Sequence, residues 1–350
     1  MTKAEQQDGV PPVTTDALIN DCTTATATST IVDPISESLV DEFRTNGFVT
    51  CPHFLSRNDV DDLNDRLEAV LRGQYDRSTK PDKTPRLIKS ELRRNDGTCQ
   101  KGKVGPLGFS GNLQNVRVLQ VINVHKADQS FRRVATERRL GQLVATLAGW
   151  EDGARLAQDQ VWAKPPGAAP LVFHRDSPYF MFDPPDVVTV WLALDDMDEE
   201  LGPLEYVRGS HRWGDGRVGS AKHFFQTNGG HSLLHSAAER EGIAPDDLDF
   251  VSMAGLEAGG ISIHDGRTWH GSSKNRSKNR PRRGLGLHFV PANVRFTEAA
   301  RKSSLWRSYV QDVDDPSRVA IDMDDFPLVW TPFTREEGLV EQEQHDQRAQ

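Results

Sequence analysis

Residues 260–290, GISIHDGRTWHGSSKNRSKNRPRRGLGLHFV, contain two β-strand patterns on either side of a polar, turn-rich stretch. The patterns are short, rich in β-branched or aromatic residues and bounded by Gly, Pro or Asp, which is typical of strands. Few segments with helical spacing lie between the strand patterns of this half of the chain, so an alternating βαβ sheet is not expected. We predict an antiparallel barrel or sandwich with a core over about residues 156–296. The predicted strands are 157–163, 171–174, 187–194, 260–264 and 284–290.

Two amphipathic helices are predicted before the strands. Apolar residues recur every three to four positions in 36–46 and again in 57–71, so each segment has one face for burial. Serines near the start of the first segment are candidate N-caps, and Gly47 ends that helix. Residues 48–50 form a short strand between the two helices. The predicted fold class is therefore mainly β, with supporting N-terminal α-helices.

The composition argues against several classes of function. The 350 residues carry 42 Lys and Arg against 51 Asp and Glu, and the net charge of -9 argues against binding to nucleic acid or to an anionic membrane. No apolar run approaches the ~18 residues of a membrane span. The three cysteines form no CxxC pair, so neither a disulfide framework nor a thiolate zinc site is expected. The first residues lack the apolar core of a secretory signal and the last three are not a peroxisomal address, so we expect a cytoplasmic protein.

Both ends of the chain are predicted to be flexible. Residues 1–33 are rich in Thr, Ala, Gln and Asp, and residues 336–350 are polar and unpatterned. A single domain is expected over 34–335. Within it, residues 77–103 hold nine Lys or Arg against three acids and are interrupted by prolines and a glycine. This composition predicts either a solvated loop or a loop at the mouth of a site for an anionic substrate.

His174 and Asp176, within the sequence FHRD of residues 173–176, form a short candidate metal motif. Side chains at i and i+2 of a strand project to the same face, so an imidazole and a carboxylate could bind one ion there. The spacing alone is common by chance. A second histidine from a distant strand would complete a 2-His-1-carboxylate triad that leaves metal positions open for substrate and dioxygen. His270 is the candidate for this third ligand, and His264 is its rival.

Arg282 enters the last strand pattern twelve residues after His270. An arginine buried near a metal requires a carboxylate, and the guanidinium fork suits a bidentate one. A metal triad with an inward arginine therefore indicates a small dicarboxylate co-substrate that chelates the metal.

Six motifs together resemble the phytanoyl-CoA dioxygenase family of iron(II)- and 2-oxoglutarate-dependent oxygenases, over about residues 35–296. The resemblance implies a double-stranded β-helix (a jelly roll, cupin-like) with N-terminal helices. It also implies that Fe(II) is held by His174, Asp176 and His270, and that the distal carboxylate of 2-oxoglutarate meets Arg282, helped by Ser272. Further co-substrate positions of the family fall on Gln160, Trp191 and, in a poorer alignment, Gln120. The motifs are GFVTCPHFLS, KPPG, FHRDSPYF, VTVWLAL, GPLEYVRGSH and WHGSSKNRSKNRPRRGLGLHFVP.

The activity implied by the resemblance is hydroxylation of a C–H bond of a small-molecule substrate, with consumption of O2 and release of succinate and CO2. Halogenating relatives replace the carboxylate ligand by a small residue, so Asp176 favours hydroxylation. Desaturation, ring closure and epimerisation stay open. Two alternatives also stay open, a jelly-roll metalloenzyme that does not use 2-oxoglutarate and a non-catalytic member of the fold. The oligomeric state is not predicted.

Several residues near the motifs have alternative interpretations. The stretch before the arginines is one residue longer than the family pattern, so Arg283 or Arg280 could take the place of Arg282. His231 and His235, spaced by four, are expected to be solvated or capping rather than metal ligands. His211 is expected to stabilise a turn. Tyr179 and Phe180 are expected either in the core or in the wall of a substrate pocket.

Overall fold

The structure, a computed structural model, describes residues 35–84, 118–214 and 231–332. The helices are α1 (Glu37–Asn46), α2 (Arg57–Leu71), α3 (Gln129–Ala135), α4 (Arg138–Ala148), α5 (Ser232–Arg240) and α6 (Arg307–Val310). The strands are β1 (Phe48–Cys51), β2 (Leu119–Ile122), β3 (Ala154–Lys164), β4 (Leu171–His174), β5 (Phe182–Asp183), β6 (Val188–Ala193), β7 (Leu204–Val207), β8 (Phe250–Ser252), β9 (Ile261–Asp265), β10 (His270–Ser272), β11 (Arg282–Pro291), β12 (Arg295–Phe296) and β13 (Leu328–Trp330).

The two predicted N-terminal helices are confirmed, and side-chain caps fix their starts. The Ser36 hydroxyl accepts a hydrogen bond from the third residue of α1, and Gly47 ends α1 in the left-handed region at φ 85°. Ser56 caps α2 in the same way. Helices α3 and α4 were not predicted, although α4 buries a regular apolar stripe.

A seven-stranded antiparallel sheet forms the larger half of the barrel, in the order β1-β9-β6-β11-β3-β13 with β2 also paired to β3. Alternate side chains of each strand point to opposite faces. On β11, Leu285, Leu287 and Phe289 join the core that contains residues of α1 and α2. The intervening positions, which include Gly284 and His288, therefore face the interior of the barrel.

A four-stranded sheet in the order β4-β10-β7-β8 closes the other side. Apolar residues from both sheets pack between them, and the rings of Phe48 and Tyr206 stack at 4.7 Å between centroids. Two packed antiparallel sheets with helices on the outer face of one sheet confirm the predicted mainly β architecture. The site residues occupy the interior.

Parts of the sequence predictions lie outside the described residues. These are the whole of the lead-in (1–33) and of the tail (336–350), and residues 85–103 of the basic stretch. The start of that stretch is described: Arg77 donates a hydrogen bond to the carbonyl of Lys126, and Lys83 pairs with Ile122 next to β3. Within the described ranges, none of the helices has both the length and the apolar character needed to cross a membrane.

Candidate metal centre

His174, Asp176 and His270 converge inside the barrel. One ligand-type atom of each lies within 4.8 Å of the others, and all three residues are buried. Oδ1 of Asp176 lies 3.6 Å from Nε2 of His174 and 3.7 Å from Nε2 of His270. In the described part of the chain, this is the one group of three or more His, Cys, Asp and Glu side chains placed to share an ion.

Strand pairing places the two histidines, and a turn places the carboxylate. His174 ends β4 and His270 begins β10, and the two residues are direct partners in the antiparallel register. The prediction that Asp176 shares a strand face with His174 is wrong, because the strand ends first and Asp176 has helical angles (φ −82°, ψ −42°). Its backbone N–H donates to the carbonyl of Gly266 at 2.8 Å, so a turn brings the carboxylate back to the imidazoles.

Backbone carbonyls orient both imidazoles. Nδ1 of His174 donates to the carbonyl of Val172 at 2.9 Å, and Nδ1 of His270 donates to the carbonyl of Thr268 at 3.0 Å. A proton on Nδ1 leaves the lone pair of a neutral ring on Nε2, the atom that faces Asp176. Outer hydrogen bonds of this kind fix the tautomer and ring orientation of metal-binding histidines.

The second carboxylate oxygen of Asp176 is held by two side chains. Thr189 donates its hydroxyl proton to Oδ2 at 2.6 Å, and Nε2 of His264 lies 3.1 Å from the same oxygen. His264, the rival of His270 for the metal on sequence grounds, thus supports the carboxylate and lies outside the three-residue cluster. Oδ1 stays directed at the two other imidazoles.

The protonation states of the cluster suit a divalent metal. Burial lowers the pKa of His174, and burial with the neighbouring His174 lowers the pKa of His270 to about 4. Burial alone would raise the pKa of Asp176, but His270 and the His264 hydrogen bond hold it well below its usual value. Near neutral pH the cluster therefore offers two neutral imidazoles and a carboxylate, the forms in which these groups bind metal. A 2-His-1-carboxylate set fits non-haem Fe(II).

Sequence reasoning did not find Thr189 or Tyr206, and it did not place His264 and His288 in the network around Asp176. Thr189 Oγ1 lies 2.9 Å from Nδ1 of His288, and His264 Nδ1 lies 3.1 Å from the hydroxyl of Tyr206. Thr189, His264 and His288 occupy neighbouring interior positions of β6, β9 and β11 in the register. The alternation of side chains along each strand could have predicted that Thr189, His264 and His288 face the interior. That they meet at the Asp176 carboxylate depends on the pairing register of β6, β9 and β11, which the sequence does not show.

Arg282, Ser272 and Trp191 form a second group, referred to below as the basic end of the site. Arg282 is 2% exposed, and its Nη2 donates to the Ser272 hydroxyl at 3.1 Å. The guanidinium carbon lies 5.5 Å from the centre of the Trp191 ring. A Cβ atom at Gly284 would lie 2.3 Å from that ring, so the close approach of Trp191 to β11 requires glycine at this position.

The alternative arginines have other partners. Arg283 points away from the interior and binds Asp195 through its side chain, with one contact of 3.0 Å, and through its backbone N–H at 2.7 Å. Arg280 pairs on the surface with Asp198 and Glu200. Arg282 is the one of the three whose guanidinium is buried inside the barrel.

Gln160 and Gln120 lie side by side at the interior of the barrel. Gln160 faces inward from β3 opposite Gly286, and Gln120 of β2 donates to its amide oxygen at 2.7 Å. Lys83 in turn donates to the amide oxygen of Gln120 at 2.9 Å. The five predicted co-substrate residues therefore form two contacting groups, one at Arg282 and one at Gln160.

The remaining candidates lie around the site or away from it. His231 and His235 stack on each other at 5.6 Å and belong to no such cluster in the described chain. His211 bonds the carbonyl of Arg44 at 3.0 Å, which ties a turn to α1 as expected. Phe180 is buried in an aromatic cluster and lies 5.0 Å from the His288 ring, and Tyr179 is half-buried.

Three comparisons with known proteins agree with this geometry. A family model described as Phytanoyl-CoA dioxygenase (PhyH) matches residues 43–284. Phytanoyl-CoA dioxygenase 1 from Oryza sativa subsp. japonica is 24% identical over 193 residues, which are 52% of this chain and 68% of the relative. A probable alpha-ketoglutarate-dependent hypophosphite dioxygenase from Stutzerimonas stutzeri is 27% identical over 184 residues, 52% of this chain and 61% of the relative. The crystal structure of the epimerase SnoN with Fe3+, alpha ketoglutarate and nogalamycin RO has a TM-score of 0.56 and 22% identity, and covers 84% of this chain and 98% of its own.

The matches confirm the family resemblance and the jelly-roll fold. They also confirm the predicted class at the level of the family, because the matching model is that of a dioxygenase. The name of the second relative describes it as dependent on alpha-ketoglutarate (2-oxoglutarate), and SnoN was crystallised with that compound and iron.

Proposed function

Since the chain belongs to the phytanoyl-CoA dioxygenase family, we propose that it hydroxylates a C–H bond of a small molecule in a reaction that consumes O2 and 2-oxoglutarate and releases succinate and CO2. The observation that carries this proposal is the buried cluster of His174, Asp176 and His270 with a buried arginine in the same interior. The cluster suits iron, and the arginine suits a dicarboxylate.

The three clustered side chains would hold Fe(II) through two imidazole nitrogens and Oδ1 of Asp176. Bound iron supplies the activation of O2 and the oxidation of the C–H bond. The chain contributes geometry: carbonyls hold His174 and His270 with Nε2 toward the ion, and Thr189 holds the carboxylate through its other oxygen. Three protein ligands leave positions for 2-oxoglutarate and O2.

The basic end would bind the distal carboxylate of 2-oxoglutarate. Arg282 offers a guanidinium fork with Nε unbonded among the described residues, and the Ser272 hydroxyl lies beside it. Trp191 forms a wall, and Gly284 and Gly286 carry no side chains into the space along β11. The co-substrate would thus lie between the iron and Arg282, away from bulk water.

Hydroxylation is favoured over halogenation because Asp176 supplies the third ligand. A jelly-roll metalloenzyme that does not use 2-oxoglutarate is the second candidate, and the buried Arg282 counts against it because such an enzyme has no need of a buried cation there. We propose a small-molecule substrate. An anionic substrate is supported only by the charge of residues 77–103, most of which lie outside the described residues.

The experiment is 2-oxoglutarate decarboxylation without added substrate, followed as succinate with Fe(II) and O2. The wild-type protein and a His231→Ala control, which changes a histidine outside the cluster, should both form succinate. His174→Ala and His270→Ala should reduce its formation by at least a hundredfold while the fold is kept. Succinate formation at the wild-type rate in either variant would refute the metal assignment, and metal-dependent activity without any succinate would favour the second candidate.

A further inference from the structure

A second buried cation lies beside Arg282. Lys164, the last residue of β3, is the direct register partner of Arg282 and has no exposed surface. Its ammonium donates to the Ser272 hydroxyl at 2.6 Å, to the Ser272 carbonyl at 3.3 Å and to the Ser273 carbonyl at 2.6 Å. All three ammonium protons therefore have acceptors at the end of β10, in the residues that follow His270.

Lys164 and Arg282 together decide what the Ser272 hydroxyl can do. A serine hydroxyl has two acceptor lone pairs and one proton to donate, whereas an ammonium and a guanidinium only donate. The two cations occupy both lone pairs of Ser272 Oγ. The hydroxyl is thereby left as a donor, and no hydrogen bond from it to another described residue is present. Its proton is available to an acceptor that enters the interior.

The pair also gives the basic end an excess of positive charge. No described carboxylate bonds either cation; Glu205 bonds the Ser273 hydroxyl and Asp195 bonds Arg283. Burial and the nearby Arg282 lower the pKa of Lys164 well below its usual value, with Glu205 as a partial offset. Burial likewise lowers the pKa of Arg282 to about 10. Glu205 acts on Lys164 and Asp195 acts on Arg282 only from a distance, so among the described residues neither cation has a directly bonded carboxylate.

We infer that Lys164 is a positioning residue of the co-substrate site, which fixes the Ser272 hydroxyl as a donor and supplies the second charge that selects a keto acid with a distal carboxylate. This inference rests on the proposed function, because it concerns the same co-substrate. A carboxylate at the basic end would accept from Ser272 and Arg282 at once, and its charge would restore the balance of the buried pair. A keto acid that ends in a methyl group would leave the hydroxyl proton without an acceptor and the two cations without a counter-ion.

If Lys164 only held β3 and β10 together, a different experimental result would be expected. Loss of a strand tie would lower stability and disturb every ligand of the interior alike. Loss of a charge that acts on the distal carboxylate would change the affinity for 2-oxoglutarate and leave the affinity for a keto acid without that carboxylate nearly unchanged. The ratio of the two affinities therefore separates the two roles.

The test compares wild-type protein, Lys164→Met and the control Lys126→Met, each loaded with Fe(II) without oxygen. Lys126 is also a buried lysine, but its partners Asp82 and Asp325 lie outside the site. Dissociation constants are measured by calorimetry for 2-oxoglutarate and for 2-oxopentanoate, which has the same carbon chain without the second carboxylate. We expect Lys164→Met to weaken the binding of 2-oxoglutarate about tenfold or more, because the Ser272 hydroxyl loses its charged hydrogen-bond partner and the distal carboxylate loses the nearby second charge. The constant for 2-oxopentanoate should change less than threefold, and the control should keep the wild-type ratio.

Ser272→Ala gives a second route if Lys164→Met does not fold, since it removes the donor that Lys164 holds. It should lower the same affinity ratio. The role of Lys164 would be overturned if the folded Lys164→Met protein kept the wild-type ratio of the affinities for 2-oxoglutarate and 2-oxopentanoate. If only Ser272→Ala folds, an unchanged ratio in that variant would overturn it. A wild-type protein that binds neither keto acid would instead overturn the proposed function, so the two failures are distinguishable.

Discussion

Replacement of Arg282 by methionine should weaken the binding of 2-oxoglutarate strongly, because no carboxylate of the described residues bonds this guanidinium. Arg282 is 2% exposed, with one hydrogen bond to Ser272 Oγ and an Nε that bonds no described residue. Methionine keeps much of the apolar stem and removes the charge and the fork. The perturbation is therefore confined to the contact with the distal carboxylate, the hydrogen bond to Ser272 and the contact with the Trp191 ring.

The magnitude follows from the state of the arginine before the co-substrate binds. A hydrogen bond to a charged group contributes about 1.5–3 kcal/mol, which corresponds to a change in Kd of about ten- to hundredfold. The usual cost of removing the guanidinium from water is already met in the folded protein, since burial lowers the pKa of Arg282 to about 10. We therefore expect the upper half of the range, about thirty- to hundredfold.

The assay is calorimetric titration of 2-oxoglutarate into Fe(II)-loaded, oxygen-free protein, with Arg283→Met as the matched control. Arg283 is the next residue on β11 and is held by Asp195 on the outside of the barrel, so its variant should bind 2-oxoglutarate within threefold of wild type. Fe(II) affinity should be unchanged in both. A large loss in Arg283→Met with wild-type binding in Arg282→Met would refute the assignment of the anchor.

Three further outcomes are expected. Thr189→Val should weaken Fe(II) binding about ten- to hundredfold in equilibrium dialysis, because it removes a 2.6 Å hydrogen bond to the carboxylate ligand; an unchanged affinity would contradict the role of the hydroxyl. Gly284→Ala should lower the free energy of unfolding, measured in urea, by about 1–3 kcal/mol, because its Cβ would lie 2.3 Å from the Trp191 ring. Gly286→Ala is the control and should not lower it, because the nearest atom to its Cβ would be 3.7 Å away. The metal-free protein should lose stability as the pH falls from about 6.5 to 4. In this range the histidines of the unfolded chain take up protons, whereas His264 and His270 of the folded protein, each with a pKa of about 4, stay neutral, which lowers the free energy of unfolding by up to about 3 kcal/mol for each ring. A urea-denaturation midpoint that does not change over this pH range would contradict the buried, neutral rings.

The sequence predicted the parts of the fold that depend on local pattern. Apolar spacing and caps placed α1 and α2, and β-branched or aromatic runs placed β3, β4, β6, β9 and β11. Strand β10, which carries His270 and Ser272, has three residues and was not predicted. Helix α3 was missed because it has only 7 residues, whereas the apolar stripe of α4 (Leu140, Leu143, Val144 and Leu147) has regular helical spacing and was overlooked. Local propensity and periodicity act within a few residues, so a sequence shows them directly where the segment is long and uninterrupted.

The site was predictable in its residue types and less so in its geometry. Alternation placed Arg282 inside and Arg283 outside, in agreement with the register against Lys164. The position of Asp176 was wrong in detail, because the turn that carries it is fixed by a hydrogen bond to Gly266, which lies far along the chain. The supporting role of His264 could not be predicted for the same reason: its partner is set by strand pairing over a long distance along the chain.

The number of Fe(II) ions bound per chain tests the central claim most directly. Anaerobic equilibrium dialysis should find one ion in the wild-type protein and in the His231→Ala control. In buffer free of chloride and of 2-oxoglutarate, Asp176→Ala should bind no stoichiometric iron, because the cluster loses its only carboxylate, two neutral imidazoles remain, and no added anion is present to take the vacant position. One tightly bound ion in Asp176→Ala, or none in the wild-type protein, would contradict the account.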